Sequence, residues 1–166
     1  MEIADSTATR AVFDQQVRSV AAGPYKIPGA LGFRWKVARV RYPFLLAQVK
    51  GGPGVLFQVE VDCTDYDYEP PAVRYLRDNG DPISWPLMGG MGRFYIHTDS
   101  ARKGWFQDII ALSETEGFVC VAGHRGYHEA HPAENWFENR LSAGRLFSVI
   151  ETSIRAVDFA KAKKAL

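Results

Sequence analysis

The sequence predicts an α+β domain, with helices at its two ends and an antiparallel meander between them. Three observations carry this reading. Apolar residues recur at helical spacing near both ends of the chain. Apolar and polar residues alternate from Phe33 to Val37 and from Val55 to Val61, as they do in half-buried strands. The pair Pro70-Pro71 then interrupts the alternating region, because neither residue can donate to a strand ladder. A length of 166 residues is enough to bury a core without disulfide or metal staples, so residues 1–166 are expected to form one domain.

The first element is an amphipathic helix that places Phe13, Val17, Val20 and Ala21 on one face, with Asp5 and Ser6 as candidate caps and Gly23-Pro24 as its stop. A Pro/Gly-rich connector through Gly29 leads to four strands: Phe33 to Val37, Val40 to Val49, Val55 to Val61 and Ala72 to Leu76. Lys50-Gly51-Gly52-Pro53-Gly54 supplies the turn chemistry between the second and third. Asp78 to Arg102 is rich in Gly, Pro, Asn and Asp and reads as a long irregular crossover. Phe118-Val119-Cys120-Val121 reads as a strand, and His97 as a strand histidine. A single C-terminal helix follows, with Phe147, Ile150, Ile154 and Val157 as its stripe and Lys161, Lys163 and Lys164 near the negative end of its dipole.

Composition removes several functional classes. A net charge of +1 is unlike the basic excess of a general nucleic-acid binder, although it leaves room for a local basic patch. Two cysteines are too few for a disulfide scaffold, and the polar start Met-Glu-Ile-Ala-Asp-Ser is unlike a signal peptide. No apolar run is long enough to span a bilayer. The expectation is a soluble cytoplasmic protein that binds neither nucleic acid nor membrane.

The densest chemistry lies between Cys120 and His131, in a stretch that also holds His124 and His128 and so contains three of the four histidines and one of the two cysteines. A thiolate is a strong nucleophile and an imidazole exchanges protons near neutrality, so Cys120 with a histidine can carry acyl transfer. The competing readings are a buried strand cysteine beside a polar loop, and a zinc site formed by Cys120, His124, His128 and His131. That set matches no tight zinc template, so neither a metal nor a cofactor is expected.

The order of motifs resembles the ubiquitin-conjugating enzymes. Tyr66-Asp67-Tyr68-Glu69-Pro70-Pro71 is similar to the family's Tyr-Pro-Phe-x-Pro-Pro at the end of a meander, with Asp67 in place of the first proline. Gly117-Phe118-Val119-Cys120-Val121 is similar to the Gly-x-Ile-Cys-Leu that surrounds the family's thioester cysteine. Trp136 and the Phe147/Ile150/Ile154 helix are similar to the family's tryptophan and the helix behind it. The family's His-Pro-Asn element is absent from Ile109 to Glu116, so the resemblance supplies no oxyanion donor. The long spacing from Pro71 to Cys120, and histidines that follow the cysteine, resemble divergent prokaryotic members.

This resemblance implies the ubiquitin-conjugating fold, with the cysteine in the crossover. It implies that Cys120 accepts a ubiquitin-like protein from an activating enzyme and passes it to an amine of a protein or other acceptor, in a bacterial antiphage pathway. Among the available bases His131 and His128 rank above His124, since a proline follows His131 and Tyr127 can pack on His128. Tyr127 and Trp136 are read chiefly as packing residues, and Cys63 as structural. The same fold without activity, acting as a binding module, is the other outcome.

Overall fold

The computed structural model describes residues 6–89, 109–142 and 145–166. Helix α1 (Ser6–Val20) leads into a five-stranded antiparallel sheet of β1 (Tyr25–Lys26), β2 (Phe33–Arg41), β3 (Phe44–Gly51), β4 (Gly54–Asp62) and β5 (Ala72–Leu76), arranged in chain order. Helix α2 (Trp85–Met88) and a separate hairpin of β6 (Ile109–Ala111) and β7 (Gly117–Val119) follow. The remainder is helical: α3 (Arg125–Ala130), α4 (Trp136–Asn139), α5 (Leu146–Arg155) and α6 (Phe159–Ala165). The α+β class is therefore as expected, with the meander antiparallel throughout.

One face of the sheet is the core. Trp35, Leu45, Ala47, Val49, Phe57, Val59, Val61 and Tyr75 are buried there against Phe13 and Val20 of α1 and Leu146, Val149, Ile150 and Ile154 of α5. Each large side chain removed from water in this layer stabilises the fold by roughly 1.5–3 kcal/mol. The buried Tyr75 hydroxyl donates to the Ser153 carbonyl at 2.8 Å, which satisfies the polar end of the ring and fastens β5 to α5.

Several boundaries differ from expectation. The sheet has a fifth strand, because Tyr25 stacks on Trp35 at 4.5 Å and aligns the two residues of β1 with Trp35 and Arg34. The expected strand from Val40 to Val49 is divided at Tyr42-Pro43, so that Val40 and Arg41 end β2 and Phe44 opens β3. The expected single C-terminal helix is two. It breaks after Arg155, and the Asp158 side chain accepts from the Lys161 amide to cap α6. The segment from Asp78 contains α2, so the described part of the crossover is not wholly irregular, and the β6–β7 hairpin lies beyond it. Asp5, His97 and most of the glycine-rich centre of the crossover lie outside the described residues. Among those that are described, no helix is long and apolar enough to cross a membrane.

Candidate active site

Cys120 is the residue immediately beyond β7, outside the strand in which the sequence reading of Phe118 to Val121 placed it, and it is half-buried. The chain turns sharply there: the Val121 amide bonds the Val119 carbonyl at 2.9 Å, and Gly123 takes a φ of 100°, a conformation glycine adopts without penalty. The turn folds α3 back onto β7. Gly126 is essential to that approach, since a β-carbon on it would lie 2.2 Å from the Phe118 Cβ. The result places Tyr127 and His128 on a short helix soon after the cysteine, with His131 capping its C-terminal end.

The ring groups cluster. Tyr127 lies 4.6 Å from His131 and 5.3 Å from His128, and His128 meets Trp136 edge-on at 5.6 Å. Burial raises the Tyr127 pKa, and negative charge on Glu134 and Cys120 raises it further, as does the hydrogen bond to the Glu134 side chain. Tyr127 is therefore a neutral hydrogen-bond donor within electrostatic reach of the thiol. Glu134 was not singled out from the sequence; it follows Pro132 in a turn, where no periodicity marks it.

The two inner histidines have opposite tautomers. Thr152 uses its hydroxyl proton on the Ser148 carbonyl at 2.7 Å, so its oxygen accepts from His124 Nε2 at 2.8 Å, and that nitrogen carries the proton. His128 Nε2 accepts the Gly123 amide proton at 3.2 Å, so in His128 the proton is on Nδ1. His124 is buried, and desolvation, aided by His128, pushes its pKa down to about 3. Desolvation also lowers His128, although Glu134 opposes the shift. His131, at the C-terminal end of α3, is exposed. Of the three candidate bases, the fold thus turns one inward, holds one by its basic nitrogen and leaves one open to solvent.

The other thiol is in a different setting. Cys63 is wholly buried, and desolvation pushes its pKa well above the ordinary thiol range, which makes it a poor nucleophile. Among the described residues no group of three or more His, Cys, Asp or Glu side chains could hold a metal ion.

The three motifs singled out from the sequence meet in space. The Arg125 amide bonds the Pro71 carbonyl at 2.9 Å, and its guanidinium donates to the carbonyls of Pro70 at 3.0 Å and Thr64 at 3.1 Å. The Trp136 indole donates to the Asp67 carbonyl at 3.2 Å, and Arg140 pairs with the Asp67 carboxylate at 3.0 Å. Asp67 has a φ of 81°, which proline cannot adopt, so the departure from the tyrosine-proline pattern suits this turn. No protein-family model matches the chain, and no curated protein is similar to it at a significant level.

Proposed function

We propose that this chain is a ubiquitin-conjugating-like transferase that carries a ubiquitin-like protein as a thioester on Cys120 and delivers it to an amine, in a bacterial antiphage pathway. The observation that carries the reading is the joining of its three motifs: Arg125, five residues past the cysteine, grips the diproline, and Trp136 grips the Asp67 turn. In that arrangement the Cys120 thiol is half-buried at the end of β7, which leaves it surface for an incoming thioester.

The chemistry is two acyl transfers. The Cys120 thiolate adds to the carbonyl carbon of the thioester on the activating enzyme, the old C–S bond breaks, and that enzyme's thiolate leaves with the electron pair. Exchange of one thioester for another is nearly balanced, so positioning is the main requirement. An amine then attacks the new thioester, a C–N bond forms, Cys120 leaves as thiolate, and the proton of the amine must be taken up. His131 is the preferred base because it is exposed, with its ring set against Tyr127. His128 ranks second, since its unprotonated nitrogen already accepts from Gly123.

Incubation with an activating enzyme, ATP and its ubiquitin-like protein is expected to give an adduct that reducing thiols cleave. Cys120→Ala abolishes it, and Cys120→Ser gives a thiol-resistant ester. An adduct that survives in Cys120→Ala, or that maps to Cys63, overturns the assignment. His131→Ala leaves loading intact and slows discharge to an amine by about a hundredfold, because only the amine step releases a proton to a base.

A further inference from the structure

The outward face of the sheet carries a charge imbalance that the chain as a whole does not. Strand β2 contains Arg34, Lys36, Arg39 and Arg41 and no acidic residue, in a chain of net charge +1. Strict alternation after Lys36 would send Arg39 and Arg41 to the core face. A register shift between Val37 and Arg39 prevents this, pairing Arg39 with Leu46 and Arg41 with Phe44 on the outward side. There the two arginines rim a concavity of about 440 Å³ floored by Phe44 and Leu46. Its one carboxylate, Glu60, is buried and already neutralised by Arg74. Among the described residues no ion pair or side-chain hydrogen bond engages Lys36, Arg39 or Arg41.

The edge beside these cations is also open. Strand β1 pairs only with Arg34 and Trp35, so from Lys36 to Arg41 the outer side of β2 has no strand neighbour among the described residues. Val40, on the core-facing row at this edge, is 43% exposed. An unpaired edge is a template for another strand, and charge decides which strand fits. A second copy of the chain paired through β2 would set its cations against these. A complementary strand carries acids at alternate positions, about 6–7 Å apart like Arg39 and Arg41, and apolar side chains between them to cover Val40.

We propose that the edge of β2 from Lys36 to Arg41 receives an extended acidic segment of a partner protein, with Asp or Glu at alternate positions, as an added strand. The site is separate from Cys120 and does not depend on the reaction assigned there. A polyanion such as nucleic acid suits it less well, since the cations form a short row rather than a track.

The test uses the full chain and a fluorescein-labelled peptide alternating Glu and Val, followed by anisotropy. Saturable binding of one peptide per chain is expected, weakening with salt. Arg39→Ala with Arg41→Ala weakens it by about tenfold, Arg39→Lys with Arg41→Lys retains most of it, and N-methylation of alternate peptide amides abolishes it. The inference is overturned if the alternating peptide does not saturate, if the N-methylated peptide binds equally well, or if a peptide with its glutamates in one block or an oligothymidylate competes as effectively.

Discussion

Protonating His124 would bury a cation whose single described side-chain partner, Thr152, already receives one proton from the ring. The folded pKa of about 3 lies below the ordinary imidazole value of 6.5, so the unfolded chain binds this proton first and acid favours unfolding. Stability is therefore full above about pH 6.5 and falls as the pH drops towards 3, by on the order of 3 kcal/mol by pH 4. The lowered His128 pKa adds to the loss with the same sign. Urea midpoints measured from pH 7 to pH 4 should show this slope, and His124→Gln should flatten it while lowering stability at pH 7. A slope unchanged in His124→Gln assigns the acid sensitivity elsewhere. The residue scale also separates the two cysteines by exposure, Cys63 being buried and Cys120 half-buried. An alkylating reagent should modify Cys120 in the native state and reach Cys63 only on unfolding, because Cys63 has no exposed surface.

Among the elements, α3 depends on a single close approach. Gly126→Ala would drive a β-carbon into Phe118 on β7, an overpacking that costs about 1–3 kcal/mol, or would lift the helix and carry Tyr127 away from Cys120. Thermal unfolding measures the first outcome, and loss of adduct formation in a folded variant reports the second. This packing was not legible in the sequence, where Gly123 and Gly126 mark only a loop or short helical turn. The strands were legible because apolar residues alternate toward the core face at Phe33–Val37 and Val55–Val61, although in β4 the polar Gln58 and Glu60 between them are buried as well. The shift after Val37 and the division at Tyr42-Pro43 were not, since both are set by pairing with β3 rather than by local pattern. The stripe Phe147, Ile150 and Ile154 correctly gave a helix, but Val157 lies beyond its end, and the cap at Asp158 that starts another is a one-residue signal inside an otherwise continuous pattern. Tyr127 likewise read as packing, and its proximity to Glu134 arises only once the chain has turned after Ala130.

Across the whole molecule, the segment that follows Cys120 is fastened to the sheet through few residues, and Arg125 is the principal one. Its guanidinium reaches the Thr64 and Pro70 carbonyls while its amide holds Pro71, so one side chain spans from α3 to the turn before β5. Arg125→Ala keeps the amide bond and removes both guanidinium bonds, a loss of about 1–3 kcal/mol for hydrogen bonds with a charged donor. The strands β3 and β4 are held by their own ladder and by the core, so the loss should not spread evenly. Hydrogen exchange in the folded variant should accelerate from Val121 to Arg140 and remain unchanged from Leu45 to Val61, as expected when one region opens without the rest. In the same variant adduct formation should fall more than global stability does, because the thiol then sits on a segment that has lost its anchor to the diproline turn. Uniform acceleration over both regions would mean instead that the post-cysteine helices and the sheet unfold as one unit, and that Arg125 stabilises the fold without positioning the site.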